Sequence, residues 1–253
     1  MGRVLAVANQ KGGVGKTTTA VNLAAGLAAA ERQTLLVDLD PQANATTGLG
    51  VTGSGLTVTT YQVIMGEEAV EKALLPTEVP FLWLAPSTID LVGAEIELVP
   101  VKEREFQLRR VLEPVLSKFD FILIDCPPSL GLLTVNALVA AASVLIPLQC
   151  EFYALEGLAK LMNTVRLVKE GLNPRLQIQG ILLTMFDGRT TLSAQVREEV
   201  TQHFKAQLFE TIIPRNVRVS EAPSHGKPLI LYDLRSAGAI AYLELTKEVL
   251  VRD

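Results

Sequence analysis

A glycine-rich segment near the amino terminus constrains this chain more than any other feature. Residues 11–18 read KGGVGKTT and lie between an apolar run at residues 4–8 and a helical pattern at residues 19–27. Glycines lack a Cβ atom, so backbone N–H groups can converge on one anion, and the amino terminus of the following helix adds unpaired N–H groups. A strand, this loop and a helix in that order therefore predict a site for the phosphates of a nucleotide.

Two residues of the loop carry the chemistry expected of such a site. The ammonium of Lys16 can contact the β- and γ-phosphates, and the hydroxyl of Thr17 can ligate Mg²⁺. We therefore predict ATP or ADP and Mg²⁺ as cofactors. The predicted nucleotide contacts from this segment are Lys11, Gly12, Gly13, Val14, Gly15, Lys16, Thr17 and Thr18. A plain glycine-rich turn would not explain why the loop, the Lys-Thr pair and the flanking strand and helix all match a phosphate-binding site.

The loop departs from the general P-loop pattern G-x-x-x-x-G-K-[ST]. Gln10 stands where the first glycine belongs, and a second lysine, Lys11, follows it. This form resembles the deviant Walker A loop of the ParA/MinD family of ATPases. The resemblance implies that Lys11 acts in catalysis in trans, on the nucleotide of the facing subunit in an ATP-bound homodimer. The residue type alone leaves a solvated surface lysine as the alternative.

Apolar strand-like runs alternate with helical patterns along the whole chain, and the runs are nearly continuous, as in a sheet buried on both faces. Predicted strands span residues 4–8, 34–38, 81–85, 119–125, 143–148, 178–185 and 211–213. Predicted helices span residues 57–66, 67–75, 103–117, 131–141, 154–170, 191–204 and 236–251, and residues 46–55 are expected to form a loop. This order predicts one α/β domain over residues 1–253, with a mostly parallel twisted sheet flanked by helices on both faces.

Composition excludes several classes of protein. A hydrophobic content of 49% with 20% charged residues is typical of a globular chain with a large core. Cys126 and Cys150 are too few for a disulfide scaffold and indicate a reducing, cytoplasmic compartment. No apolar run approaches the roughly 18 residues that a membrane span needs, and the last helical pattern is not basic and amphipathic. We therefore expect no membrane partner.

Aspartates end two of the apolar strands. Asp38 and Asp40 lie in the run VDLDPQ, and Asp125 closes the run FILID. Carboxylates at the carboxyl edge of a parallel sheet can hold Mg²⁺ and its waters or orient an attacking water, although turn hydrogen bonding would explain Asp38 or Asp40 taken alone. The runs D-x-D-P-Q and D-C-P-P-S resemble switch I and switch II of the ParA/MinD family. That resemblance implies hydrolysis and metal binding at Asp40, support from Asp38, and a Walker B metal role for Asp125.

Two further strand ends resemble the adenine-binding segments of that family. The run IPRN ends in Asn216, and the run TMFD follows the preceding strand. The resemblance implies that Pro214 packs on the base, that Asn216 hydrogen-bonds its edge, and that Met185 lies beside it. Ordinary turn chemistry is the alternative at both places.

Basic residues are concentrated late in a chain whose formal net charge is −4. Residues 211–235 contain four basic and two acidic side chains, which on charge alone is the pattern of a solvated face. The run PRNVRVSEAPSHGKP, however, closely resembles the short ParA proteins of bacterial chromosome partitioning. The resemblance implies that Arg189 and Arg218 bind double-stranded DNA of the nucleoid without sequence preference.

The resemblance extends from residue 4 to the terminal helix and implies a function. We expect an Mg²⁺-dependent ATPase whose ATP-bound homodimer binds DNA and is released by hydrolysis, which a ParB/Spo0J-type centromere-binding protein stimulates. It would be cytoplasmic and nucleoid-associated. Two alternatives remain: a MinD-like membrane-associated ATPase that positions cell-division proteins, and a metabolic enzyme that uses the same loop on a small molecule.

Overall fold

The structure, a computed structural model, describes residues 2–52, 55–152 and 154–252. In these ranges the strands are β1 (Arg3–Val7), β2 (Thr34–Asp38), β3 (Leu75–Pro76), β4 (Leu82–Ala85), β5 (Phe121–Asp125), β6 (Ser143–Gln149), β7 (Gln177–Phe186) and β8 (Leu208–Pro214). The α-helices are α1 (Lys16–Ala29), α2 (Asn44–Gly48), α3 (Thr60–Met65), α4 (Val70–Ala73), α5 (Leu91–Glu97), α6 (Gln107–Leu112), α7 (Leu132–Ala140), α8 (Ala154–Gly171), α9 (Thr191–Phe204), α10 (Val217–Glu221), α11 (Leu229–Tyr232) and α12 (Ala237–Val251).

The strands form one twisted sheet in the order β3-β4-β2-β5-β1-β6-β7-β8. Every pairing in it is parallel except that of β3 with β4, which is a two-residue antiparallel edge. The predicted fold class is confirmed. No helix among the described residues is long and apolar enough to cross a membrane.

Helices cover both faces of the sheet. Successive side chains of β1 join opposite cores: Val4 and Ala6 pack in one cluster, and Leu5 and Val7 in the other. The first cluster includes residues of α7, α8 and α9, whereas the second includes residues of α1 and α12. Burial on both faces explains why the strands read as continuous apolar runs rather than alternating ones.

Register brings the functional strand ends together. The last residue of β5, Asp125, lies opposite Val7 of β1 on one side and Asp38 of β2 on the other. Three carboxyl ends therefore meet at one edge of the sheet, next to the glycine-rich loop that follows β1. This is the edge at which parallel sheets bind their ligands.

Some predicted boundaries are wrong. The loop expected at residues 46–55 begins as helix α2, because Asp38 accepts hydrogen bonds from the N–H and the hydroxyl of Thr46 at 2.8 and 2.7 Å. Residues 53 and 54 of that prediction lie outside the described ranges. The helix expected at residues 103–117 is divided into a 3₁₀ turn, α6 and a second 3₁₀ turn that contains Pro114. Proline has no N–H to continue a helix.

Other differences concern short elements. The helix expected at residues 67–75 covers only α4, and its last residue instead begins the edge strand β3. Strand β8 begins three residues before the predicted segment at residues 211–213, and β5 lacks the two predicted residues 119 and 120. Helix α5 had no counterpart in the sequence pattern, because its exposed face is as apolar as its buried face.

Candidate nucleotide-binding site

The glycine-rich loop is held in shape by local geometry and by one distant contact. Gly13 and Gly15 have φ angles of +75° and +87°, in the left-handed region that favours glycine. The hydroxyl of Thr184 in β7 donates to the carbonyl oxygen of Val14 at 2.8 Å. Because Thr184 and Val14 are both buried, this bond fixes the loop against the sheet.

A cleft of about 410 Å³ opens above the loop. Its wall contains most of the predicted phosphate contacts, together with Asp40, Met185 and residues from α2 and the carboxyl-terminal segment. Lys16 is buried, and its Nζ atom donates to the carbonyl oxygen of Lys11 at 3.0 Å. Burial lowers the pKa of Lys16, and the negative charge of Asp125 opposes that shift. The cleft thus has a cation at its base and helix N–H groups at its rim.

The two lysines of the loop diverge. Lys11 does not line the cleft; its Nζ atom instead lies 2.5 Å from Oε2 of Glu151, in the segment between β6 and α8. Both side chains are partly exposed. Lys11 is therefore directed away from the nucleotide cleft of its own subunit. This arrangement leaves its predicted role in trans open.

The two aspartates at the carboxyl end of β2, Asp38 and Asp40, have different structural roles. Asp38 is fully buried and holds Thr46, and burial raises its pKa to about 6. Asp40 lies beyond the strand end and lines the cleft, and its Oδ1 atom accepts the N–H of Gln42 at 3.0 Å. Only Asp40 is therefore placed where it could touch a ligand, while Asp38 shapes the segment that carries it.

Asp125 has the surroundings expected of a carboxylate that binds a cation. It is fully buried, and among the described residues neither side-chain oxygen has a hydrogen-bond partner at normal geometry. Burial, and then the charge of Asp38, raise the pKa of Asp125 well above its usual range, although the nearby Thr17 hydroxyl interacts with the carboxylate and lowers its pKa. An unpartnered buried carboxylate is costly unless a cation compensates it, so this residue fits Mg²⁺ or its water shell. The described residues contain no cluster of three or more His, Cys, Asp or Glu side chains that could hold a metal ion.

The predicted base contacts lie together in a second cleft of about 220 Å³. Met185, Pro214 and Asn216 line it, and it shares Gly15 and Thr18 with the phosphate cleft. Asn216 also caps α10, since its Oδ1 atom accepts the N–H of Arg218 at 2.9 Å. Its amide nitrogen is the atom left to face a base. Met185 adopts a φ of +50°, a strained conformation that is concentrated at functional sites.

The two predicted DNA contacts are exposed but paired with acids. The guanidinium of Arg189 donates two hydrogen bonds to Asp187, at 2.8 and 2.7 Å. Arg218 lies 2.8 Å from Glu221 and 3.4 Å from Asp233. The basic character expected from the sequence is therefore partly neutralised in the folded chain, and DNA phosphates would have to compete with these carboxylates.

Several residues around the site were not predicted to contribute to it. Elements distant along the chain supply Glu151, Thr184 and Lys227, whereas Thr46 lies only eight residues after the Asp38 that it contacts. Lys227 lines the phosphate cleft from the segment after α10. The sequence analysis counted it only as part of a basic stretch, and a charge count cannot reveal which surface a lysine faces.

Comparisons with known proteins agree with this geometry. A family model described as an AAA domain matches residues 2–178. The chromosome partitioning protein ParA of Myxococcus xanthus is 58% identical and covers 100% of this chain and 89% of that protein. The sporulation initiation inhibitor protein Soj of Bacillus subtilis is 57% identical, with 98% of each chain covered. A crystal structure of cobyrinic acid a,c-diamide synthase from Mycobacterium smegmatis, with bound ADP and magnesium, has a TM-score of 0.87 and 41% identity, and covers 99% of this chain and 94% of that chain.

Proposed function

This chain belongs to the ParA/Soj family of chromosome-partitioning ATPases, and from that premise we propose how it partitions chromosomes or plasmids. ATP binding produces a sandwich dimer, which binds double-stranded DNA without sequence preference. Hydrolysis, stimulated by a ParB-type protein bound at centromere-like sites, releases it. The protein is accordingly cytoplasmic and associated with the nucleoid. The proposal rests on the different positions of the two loop lysines, because Lys16 lines the cleft and Lys11 is directed away from it.

Different residues of the cleft have different roles in ATP hydrolysis. The loop N–H groups and Lys16 bind the β- and γ-phosphates and stabilise the charge that develops there. Asp40 orients the attacking water toward the γ-phosphate. Mg²⁺, when bound, would neutralise the phosphate oxygens, and Thr17, Asp40 and Asp125 are the residues that would hold it or its waters. Met185, Pro214 and Asn216 bind the adenine.

In the proposed dimer, Lys11 and Gly12 lie at the interface between the subunits. Lys11 leaves Glu151 and contacts the nucleotide of the facing subunit. A Cβ atom at Gly12 would meet no heavy atom closer than Pro128 at 3.9 Å. Gly12→Val should therefore be tolerated in the monomer and should block the dimer by crowding the shared loop. That separation of effects makes Gly12 a useful probe.

DNA retention measured without nucleotide, with ADP and with ATP, over a series of salt concentrations, tests the proposal. We expect ATP-dependent, salt-sensitive binding to unrelated sequences, because phosphate contacts release counterions. Asp40→Ala should trap the DNA-bound dimer, and Gly12→Val should stay monomeric. Arg218→Glu should dimerise without binding DNA, whereas Arg166→Glu, on the exposed face of α8, serves as the matched charge control.

Two outcomes would redirect the assignment. If ATP drives dimerisation but no DNA is retained at low salt, a MinD-like membrane role becomes the better explanation, and liposome sedimentation with ATP would test it. If hydrolysis requires a small-molecule acceptor, the chain is a metabolic enzyme, a class favoured by its 41% identity to the M. smegmatis synthase. Partitioning predicts hydrolysis without any acceptor.

A further inference from the structure

A stripe of exposed apolar side chains runs along α5 and the turns that flank it. Ile89, Val92, Ile96 and Val99 are 62%, 47%, 71% and 54% exposed. Backbone hydrogen bonds from Val92 to Ile89 and from Val99 to Ile96 continue the helical turns beyond both ends of α5. Spacings of three, four and three residues place the four side chains on one face. Isolated exposed apolar residues are ordinary, but an aligned row of four marks a binding surface.

Acidic side chains flank this stripe on both sides. On a helical projection, Asp90 and Glu97 lie along one edge, and Glu95 lies along the other. Residues 86–101 contain no lysine or arginine. The nearby Arg104 donates to the carbonyl oxygen of Val99 at one end of the stripe, but it is already paired with Glu105. The hydroxyl of Tyr61 donates to Glu97 at 2.7 Å, which fixes one flank. The surface therefore combines an apolar centre with a negative rim.

The stripe is connected to the nucleotide site through its acidic edge. The carboxylate of Glu95 accepts the N–H groups of Leu132 and Leu133, at 3.0 and 3.4 Å, at the start of α7. Helix α7 begins directly after the segment that follows Asp125. A Cβ atom at Gly131 would lie 2.4 Å from Glu95, so the two segments are in close contact. The helix that carries the stripe is thus in direct contact with the segment that begins at Asp125.

We propose that this stripe docks a short, basic, amphipathic helix of a partner protein. Four anchors over about three helical turns match one face of a helix roughly 15 Å long. Lysines or arginines beside its apolar residues would pair with the exposed Asp90 and Glu97, as flanking charges do in paired helices. The same acidic rim opposes an anionic membrane surface and opposes DNA.

A synthetic peptide tests the binding surface directly. The probe is a labelled helix of about 14 residues, with leucines at the stripe spacing and lysines on both flanks. Its control has the same composition in scrambled order, which keeps the charge and removes the apolar face. Fluorescence anisotropy is measured on the full chain without nucleotide or DNA. Failure of this inference is therefore distinguishable from failure of the proposed function.

Two variants change the stripe, and a third changes an exposed isoleucine elsewhere. Ile96→Asn should weaken helix binding about tenfold, since the most exposed anchor of the stripe is lost. Val92→Asn should weaken it as well. Ile240→Asn changes a similarly exposed isoleucine on α12 and should leave binding unchanged. Unfolding midpoints in urea establish that each variant is folded.

Three results would overturn the proposal. Equal binding of the ordered and scrambled peptides would mean that the surface is only a negative patch. Unchanged binding by both Ile96→Asn and Val92→Asn would place the peptide elsewhere. If Ile96→Asn instead weakens the ATP-dependent dimer, and no peptide binds, the occupant is a second copy of this chain.

Discussion

Replacing Gly26 by alanine tests whether the terminal helix fixes the helix that follows the phosphate loop. Gly26 lies in α1, and a Cβ atom there would lie 2.2 Å from Oγ1 and 3.2 Å from Cβ of Thr246 in α12. Both residues are buried, and the Thr246 hydroxyl already donates to the carbonyl oxygen of Tyr242 at 2.8 Å. The added methyl group can therefore be accommodated only if α1 and α12 move apart.

The magnitude follows from two opposed effects. Overpacking costs about 1–3 kcal/mol of unfolding free energy, whereas replacing glycine by alanine inside a helix gains up to about 1 kcal/mol. Gly26→Ala should thus destabilise the chain by about 1–2 kcal/mol. Thr246→Ala removes the hydroxyl and leaves only the 3.2 Å contact, so in that background Gly26→Ala should be nearly neutral. The coupling energy should be about 1–2 kcal/mol.

Urea unfolding of the four chains of this double-mutant cycle measures the coupling, provided that the slope m stays constant. Gly157→Ala is the matched control, because Gly157 is a glycine of helix α8 with no atom within 4 Å of its built Cβ. It should stabilise the chain by up to about 1 kcal/mol. If the Gly26 and Thr246 changes add to within about 0.5 kcal/mol, the two residues do not clash and the reasoning is refuted.

Three further predictions concern charge and reactivity. Glu151→Gln frees the Lys11 ammonium, so the ATP-dependent dimer should form at about two- to fivefold lower protein concentration; sedimentation velocity measures this, and an unchanged midpoint contradicts it. Burial raises the pKa of Cys126, and raises the pKa of Cys150 to about 11. Neither thiol should therefore react with iodoacetamide at about pH 8 until urea unfolds the chain, and mass spectrometry of the folded chain would expose any labelling. Burial raises the pKa of Asp38 from 3.8 to about 6, so the folded state binds the extra proton. The contribution of Asp38 to stability should therefore fall, by up to about 3 kcal/mol, as pH rises from roughly 4 to 6 in metal-free protein, and Asp38→Asn should remove that part of the slope in urea unfolding.

The sequence alone predicted the sheet and the phosphate loop. Continuous apolar runs reflect burial of the strands on both faces of the sheet. The loop needs positive φ angles at Gly13 and Gly15, and glycine is the residue type that adopts them without strain. Both signals are local, because they depend on neighbours within one strand or one turn. The resemblance to a known family then indicated Asp40, Asp125 and the base contacts, which the fold brings to one edge.

Only the tertiary structure determined how the charged residues are paired. Lys11 meets Glu151 across a separation of 140 residues, and Thr184 holds Val14 across 170. No local pattern encodes such contacts, since they depend on which strand lies beside which. Arg218 is an intermediate case: its partner Glu221 lies only three residues along the chain, whereas the contact with Asp233 depends on how the following segment folds back.

The sequence by itself thus determined the architecture and the position of the nucleotide loop, because backbone conformation and burial periodicity are set by nearby residues. The folded chain determined which of the two loop lysines lines the cleft, which aspartate lacks a well-formed hydrogen bond among the described residues, and which apolar side chains are exposed. These properties arise from strand order and helix packing, so they depend on residues that are distant along the chain and adjacent only in space.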